Sequence, residues 1–369
     1  MLFSKTRLAQ VAAFAYFSVT ASAASLKSRA TTCNGHAELC DRGFGNVSFV
    51  GAHDSYAIGV NNLAVNQDQD ITTQLNDGIR MLQMQVHDNN GALQLCHTSC
   101  LLYNGGTLQD YLKKVKSWMD ANPNEVLSLL IVNIENLPAS RYDTDFKAAG
   151  LDTLSFVPQS SPTPASGWPT LGNMIDTGKR LVTFLDNGAD ASVPYLIDEF
   201  TNIWETEFNV VTTFDCEVNR TKGDTSTQMY LINHFLDKLL LGNPVPDVDK
   251  ANTTNGVSGP NSLGDHVQLC TTQHGRPPNF LLVDFYNHGG GSVFQVAANI
   301  NGVTYNPSKP VAPPASASGG SSASGGASNP SSSSGNGALS VAPLGLGRAH
   351  LVGGLAVAAG IALGAATVL

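Results

Sequence analysis

Charge is scarce in this sequence and leans one way. Only 13% of the 369 residues are Asp, Glu, Lys or Arg, and 29 acids against 20 bases leave a formal charge of −9. No basic stripe offsets that balance, which argues against a nucleic-acid partner and against strong attraction to an anionic membrane. Tryptophan is rarer still, at three residues, and a sugar-cleaving groove usually needs an aromatic stacking platform beside its carboxylate pair. The H-x-H, H-E-x-x-H and C-x-x-C spacings of zinc sites are missing, so no metal site is expected. No Ser/Gly linker breaks the chain before residue 310 and no repeat is visible, so the folded part reads as one domain.

The two ends have their own signals. Residues 1–23 run from Lys5 and Arg7 through an apolar stretch to "ASA" at 21–23, the pattern of a secretory signal peptide cleaved after Ala23. Residues 306–337 are rich in Ser, Gly and Pro and read as a flexible stalk. Residues 338–369 hold a spacer and an apolar tail with no basic residue after it, and small residues precede them at Asn336. That order reads as a GPI-anchor signal, removed on attachment at Asn336. The expected destination is the outer leaflet of the plasma membrane or the cell wall, with membrane association through the anchor. Loss of both end segments would remove Lys5, Arg7 and Arg348 and no acid, making the mature chain more acidic.

Six cysteines, Cys33, Cys40, Cys96, Cys100, Cys216 and Cys270, fit an oxidising compartment. Local spacing suggests 33–40, 96–100 and 216–270, although six cysteines allow 15 pairings. Sequons at Asn46, Asn219 and Asn252 fit the same route.

After a short Cys-containing extension (24–45), residues 46–305 carry the domain. Runs at 46–54, 79–88, 91–97, 125–135, 179–186 and 279–288 are apolar and then turn polar, which suggests strands buried on both faces. Helical spacing marks 107–123, with Thr107 as N-cap and Pro123 past the end, and 226–240 reads as another helix. Alternation at this length favours an α/β barrel, in which chemistry gathers where strands end. The polar strand-end residues are then His53, Gln85, His97, Asn133, Glu135 and Asp284. His87, His234, His266, His274 and His288 sit in no motif and read as surface or loop residues. "NHGGG" (287–291) reads as a turn.

The ordered set "GAHDSY" (51–56), "DITTQLNDGIRMLQMQV" (70–86), "LCH" (95–97), "NPNEVLSLLIVN" (122–133) and "WPTLGNMIDTGKRLVTFLD" (168–186) resembles the X-domain of phosphatidylinositol-specific phospholipases C, above all the fungal secreted, GPI-anchored type. The resemblance spans about residues 46–290 and is most specific in its first half. It implies a distorted TIM barrel with disulfides, and cleavage of an inositol phospholipid or glycolipid phosphodiester by the substrate's own 2-hydroxyl. His53 would be the base, His97 the acid, Asp284 the group orienting His53, and Asp54 the next candidate for that task. Imidazole suits both proton transfers because its pKa lies near neutrality.

The resemblance breaks at "QMQ". Bacterial members carry Asp-x-Arg there and animal members carry calcium-binding carboxylates, with a further one where this chain has Asn133. Here Gln83, Gln85 and Asn133, with Glu135 and Arg220, are the expected substrate-binding residues. No cofactor is required on this reading, and calcium lacks its carboxylates. Arg220, Lys179, Arg276 or a metal held partly by Asp54 could replace the missing charge. A monomer acting on lipid at a membrane surface is the expectation. The alternatives are a catalytically weak or inactive barrel that binds at the cell surface, and a wall glycosidase using Glu135 and Asp284.

Overall fold

The computed structural model describes residues 29–315. The expected signal segment, most of the stalk, and the anchor signal with Asn336 lie outside the described residues. The strands are β1 (Phe49–Ala52), β2 (Met81–Asn89), β3 (Ala92–Cys96), β4 (Asn104–Thr107), β5 (Leu127–Asn133), β6 (Leu181–Leu185), β7 (Leu196–Asp198), β8 (Ile203–Glu205), β9 (Met229–His234), β10 (Asp237–Leu240), β11 (Asn243–Pro246) and β12 (Phe280–Val283). The helices are α1 (Ile71–Asp77), α2 (Leu108–Ala121), α3 (Ala139–Ala149), α4 (Leu171–Thr177), α5 (Glu199–Asn202), α6 (Ala251–Thr254), α7 (Leu263–His274) and α8 (Ser292–Asn301).

Eight strands form one parallel path, β7-β6-β5-β2-β1-β12-β9-β8, curled into a barrel. The ladder does not close. Its two end strands, β7 and β8, are joined in sequence by the four-residue helix α5. This is a distorted TIM barrel, and its interior is filled by side chains rather than open. One apolar cluster, with Met81, Leu130, Phe184, Leu231 and Phe280, fills the interior; the other lies between the strands and the helices outside them, with Leu82, Leu129, Tyr142 and Leu281. Residues read as a separate extension take part in it: Cys33, Leu39, Cys40 and Phe44 are buried in the same cluster as Phe280. The helix at 107–123 forms as α2, capped by Thr107, whose hydroxyl accepts from Asp110 N at 3.1 Å.

Three expectations are corrected. Residues 226–240 are not a helix but β9 followed by β10, and every residue of β9 is buried. A strand covered on both faces loses its alternation, so a short apolar run does not separate it from a buried helix. The run 91–97 is a strand, but β3 lies off the parallel path, antiparallel to β2 through a tight turn at Asn90 and Gly91, both with positive φ. Finally, β12 stops at Val283, with Phe285 at φ 44°, so Asp284 lies just past the strand rather than on its face.

Candidate active site

Each of the two histidines follows a strand directly. His53 follows β1, and its backbone N–H donates to Val283 O at 3.0 Å. His97 follows β3 and sits between the disulfide-bonded Cys96 and Cys100. The buried carboxylate of Asp54 faces both rings, with Oδ2 3.2 Å from His97 Nε2 and 3.6 Å from His53 Nε2. On the other side of His53, Nδ1 donates to Asp284 Oδ1 at 2.9 Å. Asn66 Nδ2 in turn donates to both Asp284 oxygens, at 3.2 and 3.1 Å. Gln67 Nε2 donates to His53 O and Val283 O, tying β1 to β12 beyond their ends. The ring of Phe235 stacks on His53 at 3.8 Å and 4°.

These surroundings drive the two imidazoles apart. Burial lowers the proton affinity of His53, but the charges of Asp284 and Asp54, the Asp284 hydrogen bond and the charge of Asp237 outweigh it. Its pKa rises from 6.5 to about 9. Burial also dominates at His97, and the Asp54 charge does not overcome it, so its pKa falls below 6.5. Burial and the neighbouring Asp284 push Asp237 up to about 7. The resting site thus pairs an imidazolium at 53 with a neutral imidazole at 97.

The remaining expected site residues are placed as follows. Gln83 Oε1 accepts from Asp54 N at 2.6 Å. Gln85 Nε2 donates to Asp54 Oδ2 at 2.9 Å, and its Oε1 accepts from Thr98 N at 3.2 Å. Asn133 Oδ1 accepts from Leu137 N and Tyr142 Oη, and its Nδ2 donates to Leu137 O and Asn187 O. Glu135 accepts from His87 Nδ1 at 2.9 Å and from Asp88 N at 3.0 Å, so it and Asp284 belong to different hydrogen-bonded groups. Arg220 pairs with Glu205 beneath the rings of Phe200 and Phe208. Lys179 donates to Thr153 O, and Arg276 to Thr225 O and Gln228 O. None of these three cations hydrogen-bonds or pairs with either site histidine.

The donor set does not fit calcium. Six to eight oxygens, several of them carboxylate, are the rule, whereas the amide oxygens of Gln83, Gln85 and Asn133 each already accept from N–H or O–H groups of the protein. Asp54 is the carboxylate among them.

Sequence reasoning missed Asn66, Gln67, Phe235 and Asp237. The last two fall in the segment misread as helix, and Asn66 and Gln67 lie in a loop without a motif. Two histidines read as exposed are buried: His234 on β9 and His266 on α7 meet through their Nδ1 atoms at 2.9 Å, and each Nε2 reaches a backbone carbonyl. Gly289, Gly290 and Gly291 do form the expected turn, all with positive φ, and α8 starts right after it. Asn46, Asn219 and Asn252 are exposed, and the three disulfides are those that local spacing suggested.

Fold and site together define a parallel α/β barrel with one histidine at the C-terminal end of a barrel strand, β1, and a second just after the antiparallel β3. The PI-PLC X family profile matches residues 39–301. An "Uncharacterized secreted protein" of Arthroderma benhamiae is 46% identical over 286 residues, covering 74% of this chain and 65% of that protein. A "PI-PLC X domain-containing protein 1" of the same organism is 42% identical over 277 residues, covering 73% of this chain and 90% of its own length. Among solved structures, a phosphatidylinositol-specific phospholipase C from Staphylococcus aureus is 14% identical, covering 72% of this chain and 95% of its own, with a TM-score of 0.49. The chain belongs to the PI-PLC X family.

Proposed function

We propose that the protein is a secreted phosphodiesterase of the phospholipase C type, cleaving inositol phospholipid or inositol glycolipid head groups. The observation that carries this reading is the pair His53 and His97, both turned to one buried carboxylate and one of them oriented by Asp284. In the reaction the inositol 2-hydroxyl oxygen attacks phosphorus and the bond from phosphorus to the diacylglycerol oxygen breaks. One imidazole takes the hydroxyl proton and the other protonates the departing oxygen, giving a cyclic inositol phosphate and diacylglycerol. His53 acts as base and His97 as acid, which requires the minority protonation state, because the resting proton sits on His53. No step uses a metal. The His53 imidazolium is the positive charge the resting site offers an anionic diester. Without a clamping arginine turnover is modest, since removing one such stabiliser from a transition state commonly costs about 100- to 1,000-fold.

A lipid surface is the partner. The loops after β1 and β3 and the β10–β11 hairpin that follows β9 carry exposed apolar residues: Val60 and Leu63, Leu101, and Leu239 and Leu241. Secretion fits the three disulfides, and the anchor signal would hold the domain at a membrane as a monomer.

The test is release of water-soluble inositol phosphate from phosphatidylinositol vesicles, with calcium or with chelator. Release that is insensitive to chelator and abolished by His53→Ala supports the proposal. No release by the unaltered protein would favour the second reading, a barrel that binds lipid or glycan without cleaving it. The inward-turned amides of Gln83 and Gln85 are the observation on its side.

A further inference from the structure

Two residues near the site adopt left-handed backbone conformations without being glycine. Asp54, directly after His53, has φ 37°, and Thr98, directly after His97, has φ 61°. Such a conformation is disfavoured for a residue with a Cβ and persists only where its surroundings hold it. Each has its backbone N–H taken by a glutamine of β2: Asp54 N donates to Gln83 Oε1 and Thr98 N donates to Gln85 Oε1. The two glutamines are two residues apart, so they leave the strand on one face. The glutamines of "QMQ" therefore hold, one each, the residue that follows each histidine.

We propose that Gln83 and Gln85 are positioning residues for the two histidines, and that Gln85 must be donor and acceptor at once because it joins Asp54 to the His97 loop. A backbone N–H can only donate, which makes the Gln85 oxygen face Thr98. The Gln85 nitrogen then faces Asp54 Oδ2, a carboxylate oxygen that accepts. Arginine at 85 would offer Thr98 no acceptor, and an ionised carboxylate would offer Asp54 no donor. The charged residues expected at this place are thus incompatible with this network. What looks like a lost phosphate clamp is a brace that fixes the carboxylate between the imidazoles. This role rests on the phosphodiesterase reading only where activity is the readout.

Four substitutions test it. A protonated glutamic acid both donates and accepts, so Gln85→Glu should work nearly as the unaltered protein does at acidic pH. It should then lose activity at least tenfold as the new carboxyl ionises. Gln85→Arg should be at least tenfold less active at every pH, and Gln85→Met likewise. The His97 ring resonances of Gln85→Met, followed by NMR in the whole protein, should titrate with a midpoint shifted by about half a unit or more. Gln83→Met should shift the His53 midpoint in the same experiment.

Higher activity in Gln85→Arg would identify a phosphate-binding residue, and a Gln85→Glu variant that is worst at acidic pH would show that position 85 need not donate to Asp54; either result would overturn the proposal. So would ring titrations unchanged in both methionine variants. If Gln85→Met does not fold, the pH dependence of Gln85→Glu decides alone. If the unaltered protein cleaves nothing, shifted ring titrations still support the brace while the phosphodiesterase reading falls.

Discussion

His53 is surrounded by three carboxylates, Asp284, Asp54 and Asp237, and two consequences can be measured. The first concerns stability. The unfolded chain releases this proton near 6.5 and the folded chain near 9, so the stabilisation is complete below about pH 6.5 and is lost as pH rises through 9. The shift corresponds to on the order of 3 kcal/mol. Urea unfolding between pH 6 and 10 should show that decline, and His53→Ala should flatten it; an equal decline in the variant would refute the assignment. The second concerns rate. kcat/KM should follow a bell whose acid limb lies below 6.5, set by His97, and whose alkaline limb lies near 9, set by His53. The bell does not say which histidine is the base. A substrate with a sulfur leaving group does, because a thiolate departs without a proton. That substrate should recover at least 100-fold of the activity lost in His97→Ala and little of that lost in His53→Ala; the reverse pattern would exchange the roles.

At the scale of elements, the sequence showed where strands end but not how their ends are braced. The apolar-then-polar runs located β1, β2, β5, β6 and β12, because a strand covered on both faces must turn polar where it leaves the sheet. The same property hid β9, whose six residues are all buried. Asp284 was identified, yet its partner Asn66 was not, since 218 residues separate them and only the fold joins them. The glutamines were visible as a departure from the family pattern, but their partners are backbone N–H groups, which no side-chain motif reveals. The disulfides divide in the same way between fold and site. Cys216 and Cys270 are 54 residues apart, and Cys96 and Cys100 only 4. In the chain-entropy account the longer loop contributes about 4 kcal/mol and the shorter about 2 kcal/mol. Replacing Cys216 and Cys270 with alanine should therefore lower Tm more, whereas replacing Cys96 and Cys100 should lower kcat more, because that ring carries His97. Calorimetry and turnover measured on both double variants check the crossing; a larger kcat loss in the 216/270 variant would count against it.

For the whole molecule the question is which way the barrel mouth faces. After α8 the chain turns back along the domain. Lys309 pairs with Asp77 at 3.0 Å, Ala312 N donates to Asp77 Oδ2 at 3.0 Å, and Ala315 N reaches Asp68 Oδ2 at 3.2 Å. Asp77 ends α1, whereas Asp68 precedes it, in the loop that leads away from His53. The described chain therefore runs from the far end of α1 toward the mouth, bringing residue 315 to the side where the histidines lie. The apolar residues point the same way: Leu239 is 61% and Leu241 81% exposed at the tip of the β10–β11 hairpin, which begins two residues after the Phe235 that stacks on His53. Each leucine, taken from water into lipid, is worth roughly 1.5 kcal/mol or more, about tenfold in partitioning. Leu239→Ser and Leu241→Ser should each weaken binding to phosphatidylinositol vesicles by about that factor in a sedimentation assay. Cleavage of a soluble inositol phosphodiester should stay unchanged, since both side chains are exposed at the hairpin. Unchanged vesicle binding in the double variant would turn the mouth away from the lipid surface.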